Sequence, residues 1–332
     1  MYKVGMYGGS FNPMHNGHLK CIIKAACMCE KLFVVLSVGI NRDEVDYKVR
    51  YRWLYHATKH IGNVKIIILQ DDCSKKSEYT LEASKSDSEY IKQEIGEPID
   101  IVFCGSDYNE NSFWNVNYPD SEFYVFDRDE MNSTELRKNI YKHWDWLPNF
   151  VKSYYVKKVL IIGLESSGKS VMTVNLANYF CTNYIEEAGR DLSEKSGTDT
   201  MMLSEDFTEI LLTQKMNEIK ALEKSNRVLF CDTDCLVTQF YLKFLEGDEE
   251  NIMLSDAIDA INKYDLILFL APDVEWVQDG DRSEEIRDNR PEYCEMMAGI
   301  YKSHNKYFEY IEGDYITKFN KCVELVNNLL GI

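Results

Sequence analysis

Short apolar runs alternate with longer amphipathic stretches along this chain, and the alternation starts afresh at mid-length. In the first half, Val4 to Tyr7, Leu32 to Val38, Val64 to Leu69, Ile101 to Cys104 and Phe123 to Phe126 read as buried strands. Helical spacing falls between them, for example over His18 to Glu30 and Val49 to His60. Apolar strands separated by amphipathic helices predict an α/β fold with a doubly wound parallel sheet. A second series runs through Lys158 to Ile162, Val228 to Cys231, Leu266 to Leu270 and Phe308 to Ile311. Its expected helices are Lys169 to Thr182, Phe207 to Ser225, Leu236 to Leu245 and Tyr315 to Leu330. The aromatic stretch Tyr141 to Val156, with Pro148, separates the two series and sets domains of residues 1–150 and 151–332. Polar Ser74 to Ser88 reads as a surface loop or weak helix.

At 332 residues, 45% hydrophobic and 28% charged, two ordinary globular cores are affordable. The chain offers no long uncharged apolar run, and Met1 leads almost directly into a strand pattern, so a cytoplasmic, unexported protein with no membrane partner is expected. A formal charge of -18 argues against coating nucleic acid, so anionic substrates must meet locally basic pockets. The ten Cys lie scattered through apolar segments without metal-ligand spacing and read as reduced, mostly buried thiols; Cys27 and Cys29 fall on a helix-like stretch.

The most specific single motif is Gly163-Leu-Glu165-Ser166-Ser167-Gly168-Lys169-Ser170, set between a strand and a helix. Its glycines let backbone N–H groups turn around phosphates, Lys169 reaches the terminal phosphates, and Ser170 is placed for Mg²⁺. The acidic partner such a loop needs is supplied by Asp232, directly after an apolar strand, with Asp234 nearer the acceptor; helix capping is the bland alternative for either. The polar stretch Ala271 to Arg290, with Trp276, Asp279, Gly280, Arg282 and Arg287, suits a phosphate-closing lid, or a solvated loop.

In the first half, Gly8-Gly9-Ser10-Phe11-Asn12-Pro13-Met14-His15-Asn16-Gly17-His18 joins the first strand to the first helix. Glycines allow close backbone approach, and two histidines three apart on a helix start face one phosphate, stabilising charge without a covalent intermediate. Arg42, Lys48, Arg50 and Arg52 could also reach substrate phosphates or be surface charge.

These residues resemble the nucleotidyltransferase superfamily that carries the H-x-G-H signature, matched by His15-Asn16-Gly17-His18. Gly105-Ser106-Asp107-Tyr108 looks like its adenosine and ribose turn, and Asn132-Ser133-Thr134-Glu135-Leu136-Arg137 is similar to its second signature, which holds the ATP phosphates. With a P-loop kinase behind it, the chain resembles the NadR-type bifunctional nicotinamide mononucleotide (NMN) adenylyltransferase and ribosylnicotinamide kinase over nearly its whole length. That resemblance implies a Rossmann-like nucleotidyltransferase joined to a P-loop kinase, with ATP, nicotinamide riboside, NMN and NAD as ligands and Mg²⁺ as cofactor. It further implies Trp276 stacking on the nicotinamide ring, Asp234 and Arg190 gripping the ribose, and Glu187, Asp279 and Arg282 lining the substrate site. Glu187, Asp232 and Asp234 all stay candidates for the kinase base. Regulatory members carry a helix-turn-helix ahead of the transferase strand; this chain begins at that strand, so DNA binding is not expected. A homo-oligomer is compatible with all of this. Rival readings are another adenylyltransferase, for example of the pantetheine-phosphate type, fused to a nucleoside kinase, and a nucleotide-sensing regulator.

Overall fold

The structure, a computed structural model, describes residues 1–73, 78–105, 112–127, 130–198, 201–247, 250–278 and 282–332, save the side chain of Asp191. The chain divides into two compact units, Met1–Val151 and Lys152–Ile332. Among the described residues no helix is long and apolar enough to cross a membrane.

Unit 1 contains strands β1 (Tyr2–Gly9), β2 (Cys29–Gly39), β3 (Val64–Asp71), β4 (Ile101–Cys104) and β5 (Glu122–Val125), with helices α1 (Asn16–Met28), α2 (Tyr47–Thr58), α3 (Leu81–Ile95), α4 (Phe113–Asn117) and α5 (Ser133–Lys138). Its strands lie in the order β3-β2-β1-β4-β5, all parallel. Residues two apart share a face: Val4 and Met6, Phe33 and Val35, and Ile67 and Leu69 pack with Ile91 and Ile95 of α3. Leu32, Val34 and Leu36, on the opposite face, are equally buried, so helices cover both sides as a parallel sheet requires.

Of the stretch Ser74 to Ser88 expected as loop or weak helix, residues 74–77 lie outside the described residues and the part from Leu81 is helical, as the start of α3. Thr80 caps it through the Ala83 N–H, and Gly96 closes it in the left-handed region (φ 69°). Its buried face is half serine. Ser84 and Ser88 donate to the carbonyls of Leu81 and Lys85, and Asn117 donates to Ser84, so the hydroxyls are satisfied inside the core. Cys29 begins β2 and does not extend α1. β1 runs on through Gly8 and Gly9, while β5 ends at Val125, with the Phe126 N–H still donating to the Cys104 carbonyl.

Helix α6 (Asn149–Tyr155) spans the division between units. Unit 2 contains β6 (Lys157–Ile162), β7 (Tyr184–Ile185), β8 (Val228–Asp232), β9 (Leu266–Leu270) and β10 (Glu309–Ile311). These strands lie in the order β10-β9-β6-β8-β7, again all parallel. Helices α7 (Lys169–Tyr179), α9 (Ser204–Leu222), α10 (Cys235–Leu245) and α14 (Tyr315–Leu330) occupy the expected stretches. Four more were not foreseen: α8 (Ala188–Ser196), α11 (Ile252–Ile261), α12 (Glu284–Asp288) and α13 (Arg290–Ser303). In both sheets the first strand of the unit is central, flanked by strands reached in opposite directions. The carboxyl end of such a strand opens a crevice for ligands.

Candidate active sites

In unit 1 the crevice at the end of β1 is built by the loop Ser10 to His15 and the start of α1. His15 is the N-cap of α1, and its N–H donates to Nδ1 of His18 at 3.2 Å. A neutral His18 ring is thereby set with its proton on Nε2, a donor suited to an anion. The two imidazoles stack with centroids 3.7 Å apart, and Phe11 meets His18 edge-on at 5.0 Å. Gly17 is required by this stack: a Cβ there would lie 2.9 Å from His15 Nδ1. Phe11, expected among the nucleotide-binding residues, is fully buried with φ 48°, and its ring also meets Tyr7 edge-on at 6.0 Å.

Helix α5 clamps the same loop. Asn132 caps it through the Glu135 N–H, the Ser133 hydroxyl donates to the Pro13 carbonyl at 3.0 Å, and Arg137 donates to the Asn12 carbonyl and, at 3.2 Å, to the Thr134 hydroxyl. Both signatures therefore converge on one cradle. Gly105 follows β4 beside β1, whereas Ser106 and Asp107 lie outside the described residues. Trp114, missed in the sequence, covers Gly8, where a Cβ would approach the indole to 3.2 Å.

Two of the four basic candidates are structural. Arg50 is 1% exposed, donates to the carbonyls of Val45, Ser10 and Ser37, and pairs with Glu44 at 3.0 Å. Burial pulls its pKa down and Glu44 opposes this. It props the loop from behind and does not reach for phosphate. Arg42 pairs with Asp71, while Lys48 and Arg52 stand exposed on α2.

In unit 2 the phosphate loop follows β6. Gly163 adopts φ 148°, and a Cβ there would lie 2.7 Å from the Leu270 carbonyl, so only glycine fits; Gly168 enters α7 at φ 88°. The Lys169 ammonium is buried and donates to the Leu164 carbonyl at 3.2 Å. Asp232, 1% exposed at the end of β8, accepts from the Ser170 hydroxyl; Arg190 donates to that hydroxyl at 3.4 Å. Asp232 Oδ1 and the Ser167 hydroxyl are buried without hydrogen-bond partners among the described residues. Burial, then the charge of Glu187, raise the Asp232 carboxyl to about 6, against the opposing pull of Lys169, Ser170 and Arg190.

A cavity of about 390 Å³ joins the loop to these groups. Glu165, Ser166, Ser167, Gly168, Lys169 and Ser170 form one end, Glu187, Arg190 and Arg282 line its side, and Met202, Phe207 and Tyr241 give an apolar end. That apolar wall was not foreseen, because its residues read only as helix core.

Asp234 and Trp276 differ from expectation. Asp234 caps α10, accepting from the N–H groups of Leu236 and Val237 and from the Tyr301 hydroxyl, and it does not line the cavity. Burial raises it to about 6. Trp276 also stays off the cavity wall, because the Arg290 guanidinium covers its ring at 5.5 Å and its indole N–H donates to Gln278. The segment bearing it docks on the loop: Val277 N–H donates to the Ser166 hydroxyl at 2.9 Å, and Ser283 N–H to the Glu165 carboxylate at 2.8 Å. Asp279 lies outside the described residues.

Residues 6–168 match the cytidylyltransferase-like family and residues 158–318 the AAA domain family. Two trifunctional NAD biosynthesis/regulator proteins NadR, from Escherichia coli and Salmonella typhimurium, are each 27% identical over 99% of this chain, which covers 83% and 84% of their lengths. A phosphopantetheine adenylyltransferase of Mycoplasma capricolum is 31% identical over 137 residues, 37% of this chain and 98% of its own. A crystal structure of NadR protein in complex with NR shares the fold, with a TM-score of 0.79, 21% identity, and coverage of 100% of this chain and 97% of that one. The chain therefore belongs to the cytidylyltransferase-like family through its first half and, taken whole, is NadR-like, with that domain followed by an AAA domain.

Proposed function

We propose that this chain is an NAD-biosynthesis enzyme with one active site in each unit. The observation that carries the reading is that both sheets end their central strand in a glycine turn furnished with cationic or imidazole groups, in a chain like NadR over 99% of its length. Unit 2, Lys152–Ile332, would phosphorylate nicotinamide riboside. The riboside primary hydroxyl attacks the γ-phosphorus of ATP, the bond to the β-phosphate oxygen breaks, and ADP leaves. Unit 1, Met1–Val151, would join NMN to ATP: an NMN phosphate oxygen attacks the α-phosphorus, the α–β bridge breaks, and pyrophosphate leaves with NAD as product.

In unit 2 the loop amides and Lys169 hold the phosphates, and Lys169 must leave the Leu164 carbonyl to do so. Asp232 fits a cation site, since it is buried with an oxygen to spare beside a serine hydroxyl. Ser170 and Asp232 would hold Mg²⁺, which when bound neutralises charge on the phosphates. With Asp234 bound in a helix cap and Asp232 on the metal side, Glu187 is the one of the three candidate bases that lines the cavity and would receive the hydroxyl proton. Arg190 and Arg282 sit where the transferring phosphate or the ribose can be held, and Met202, Phe207 and Tyr241 favour a flat base at the apolar end.

In unit 1, His15 and His18 would face the α-phosphate from the start of α1. The backbone of Gly8 to Asn12, with Ser133, Thr134 and Arg137, would hold the triphosphate, leaving Gly105, Ser106 and Asp107 for the adenosine. No covalent intermediate is needed, because positioning and charge stabilisation suffice. The net charge of -18 favours such small-molecule partners over nucleic acid.

The test supplies purified protein with ATP, Mg²⁺ and either riboside or mononucleotide, and follows ADP, pyrophosphate and NAD separately. Riboside should yield ADP, and mononucleotide should yield pyrophosphate with NAD; failure of either removes that unit's assignment. The likeness to phosphopantetheine adenylyltransferase supports a second reading for unit 1. Pyrophosphate formed with phosphopantetheine and not with NMN would favour it.

A further inference from the structure

Gln214 lies on the buried face of α9, 7% exposed, and does not line the unit 2 cavity. Its amide nevertheless bonds both sides of that cavity. Nε2 donates to the carbonyls of Asp232 at 2.9 Å and Thr233 at 3.3 Å. Oε1 accepts the Ala188 N–H at 3.0 Å. The partners fix the orientation of the amide, because a flipped group would set its oxygen against two carbonyls and its hydrogens against an N–H.

Each anchor matters to the site. Asp232 carries the carboxylate beside Lys169 and Ser170, and Thr233, on the cavity wall, holds a left-handed φ of 66° that a non-glycine residue adopts only under constraint. Ala188 is the first residue of α8, whose N-cap Glu187 makes no side-chain cap bond. Gln214 satisfies the N–H of Ala188, the residue next to that N-cap, and Glu187 lines the cavity. One turn further along α8, Arg190 reaches Ser170.

We propose that Gln214 is a positioning residue that sets the distance between the phosphate side of the unit 2 site, held by Asp232, and the acceptor side, held by Glu187 and Arg190. The proposal rests on reading unit 2 as the riboside kinase. It places the geometric control of phosphoryl transfer in a residue that touches neither substrate. Because the three bonds are made at once, replacing the side chain releases both walls together.

The test uses the full chain with Gln214→Met, which keeps the volume and removes all three bonds. Riboside-dependent ADP formation should lose about 10- to 100-fold in kcat, as expected for a misplacement well under 1 Å, while the KM for ATP stays within about threefold. Hydrogen exchange at the Ala188 amide should accelerate, with pyrophosphate formation by unit 1 as an internal reference. A kcat within twofold of the unsubstituted chain, a loss confined to the KM for ATP, or unchanged Ala188 protection would each overturn the proposal. Should Gln214→Met not fold, Gln214→Asn, too short to bridge both walls, is read in the same way. If the unsubstituted protein forms no ADP from riboside, the kinase reading fails by itself, and Ala188 exchange alone still decides the role of Gln214.

Discussion

Replacing Gly17 by alanine should separate stability from catalysis in unit 1. Gly17 lies in the first turn of α1, outside the left-handed region, so alanine is compatible with its backbone. Relative to glycine, alanine stabilises a helix by about 0.5–1 kcal/mol, and the melting temperature should hold or rise by about 1–3 °C. The added methyl, however, would stand 2.9 Å from Nδ1 and 3.0 Å from Cε1 of His15, where carbon contacts relax to about 3.5 Å or more. The ring must retreat by about 0.5 Å, disturbing a stack whose centroids are 3.7 Å apart and the imidazole pair aimed at the α-phosphate. Misplacement on that scale costs about 10- to 100-fold in rate, or about 1.4–2.8 kcal/mol of transition-state stabilisation. Pyrophosphate release from ATP and NMN is the assay, with riboside-dependent ADP formation as the internal control. A pyrophosphate rate within twofold of the parent, or an equal fall in ADP formation, would refute the reasoning.

Lys169→Ala should lower ADP formation by at least about 10³-fold and leave pyrophosphate formation intact, measured side by side in one preparation. The Asp232 carboxyl, raised from 3.8 to about 6, favours the neutral form in the folded chain; its contribution to stability is full below about pH 4 and lost as the pH rises through 6. Asp232→Asn should therefore raise the melting temperature of the metal-free protein at pH 8 but not at pH 4, although it removes kinase activity. Kinase activity of the parent should fall on the acid side of about pH 6, and more Mg²⁺ should move that limb lower, since a bound cation favours the carboxylate. Arg50→Met should lower unit 1 stability by about 3–5 kcal/mol, read by denaturant unfolding, because three carbonyls lose their buried donor and Glu44 keeps only Arg42, at 3.9 Å.

Apart from the two-residue edge strand β7, too short to show a pattern, the strands were legible because most are apolar runs, as β8 is from Val228 to Cys231, and glycine turns announce where the central ones hand over to helices. Helix α3 was legible only as a loop or weak helix, for the opposite reason: its inward face carries Ser84 and Ser88, whose burial depends on hydrogen bonds that apolar periodicity does not register. Likewise, charge alone does not separate Arg50, which holds backbone from within, from Lys48 on the surface. For Asp232 and Asp234, two residues apart, the sequence favours the first for the metal side and leaves helix capping more open for the second; the trace after β8 sets Asp232 beside Ser170 and commits Asp234 to the amides of α10. The resemblance implies Trp276 against the nicotinamide ring, a role that only a ligand would reveal; without one, the indole face meets a cation of the same chain, Arg290.

The N–H groups of Val277 and Ser283, donating to Ser166 and Glu165, tie the phosphate loop to the docking of a distant stretch of sequence. By thermodynamic linkage, whatever fixes that stretch changes the nucleotide dissociation constant by the factor with which nucleotide changes the docking equilibrium.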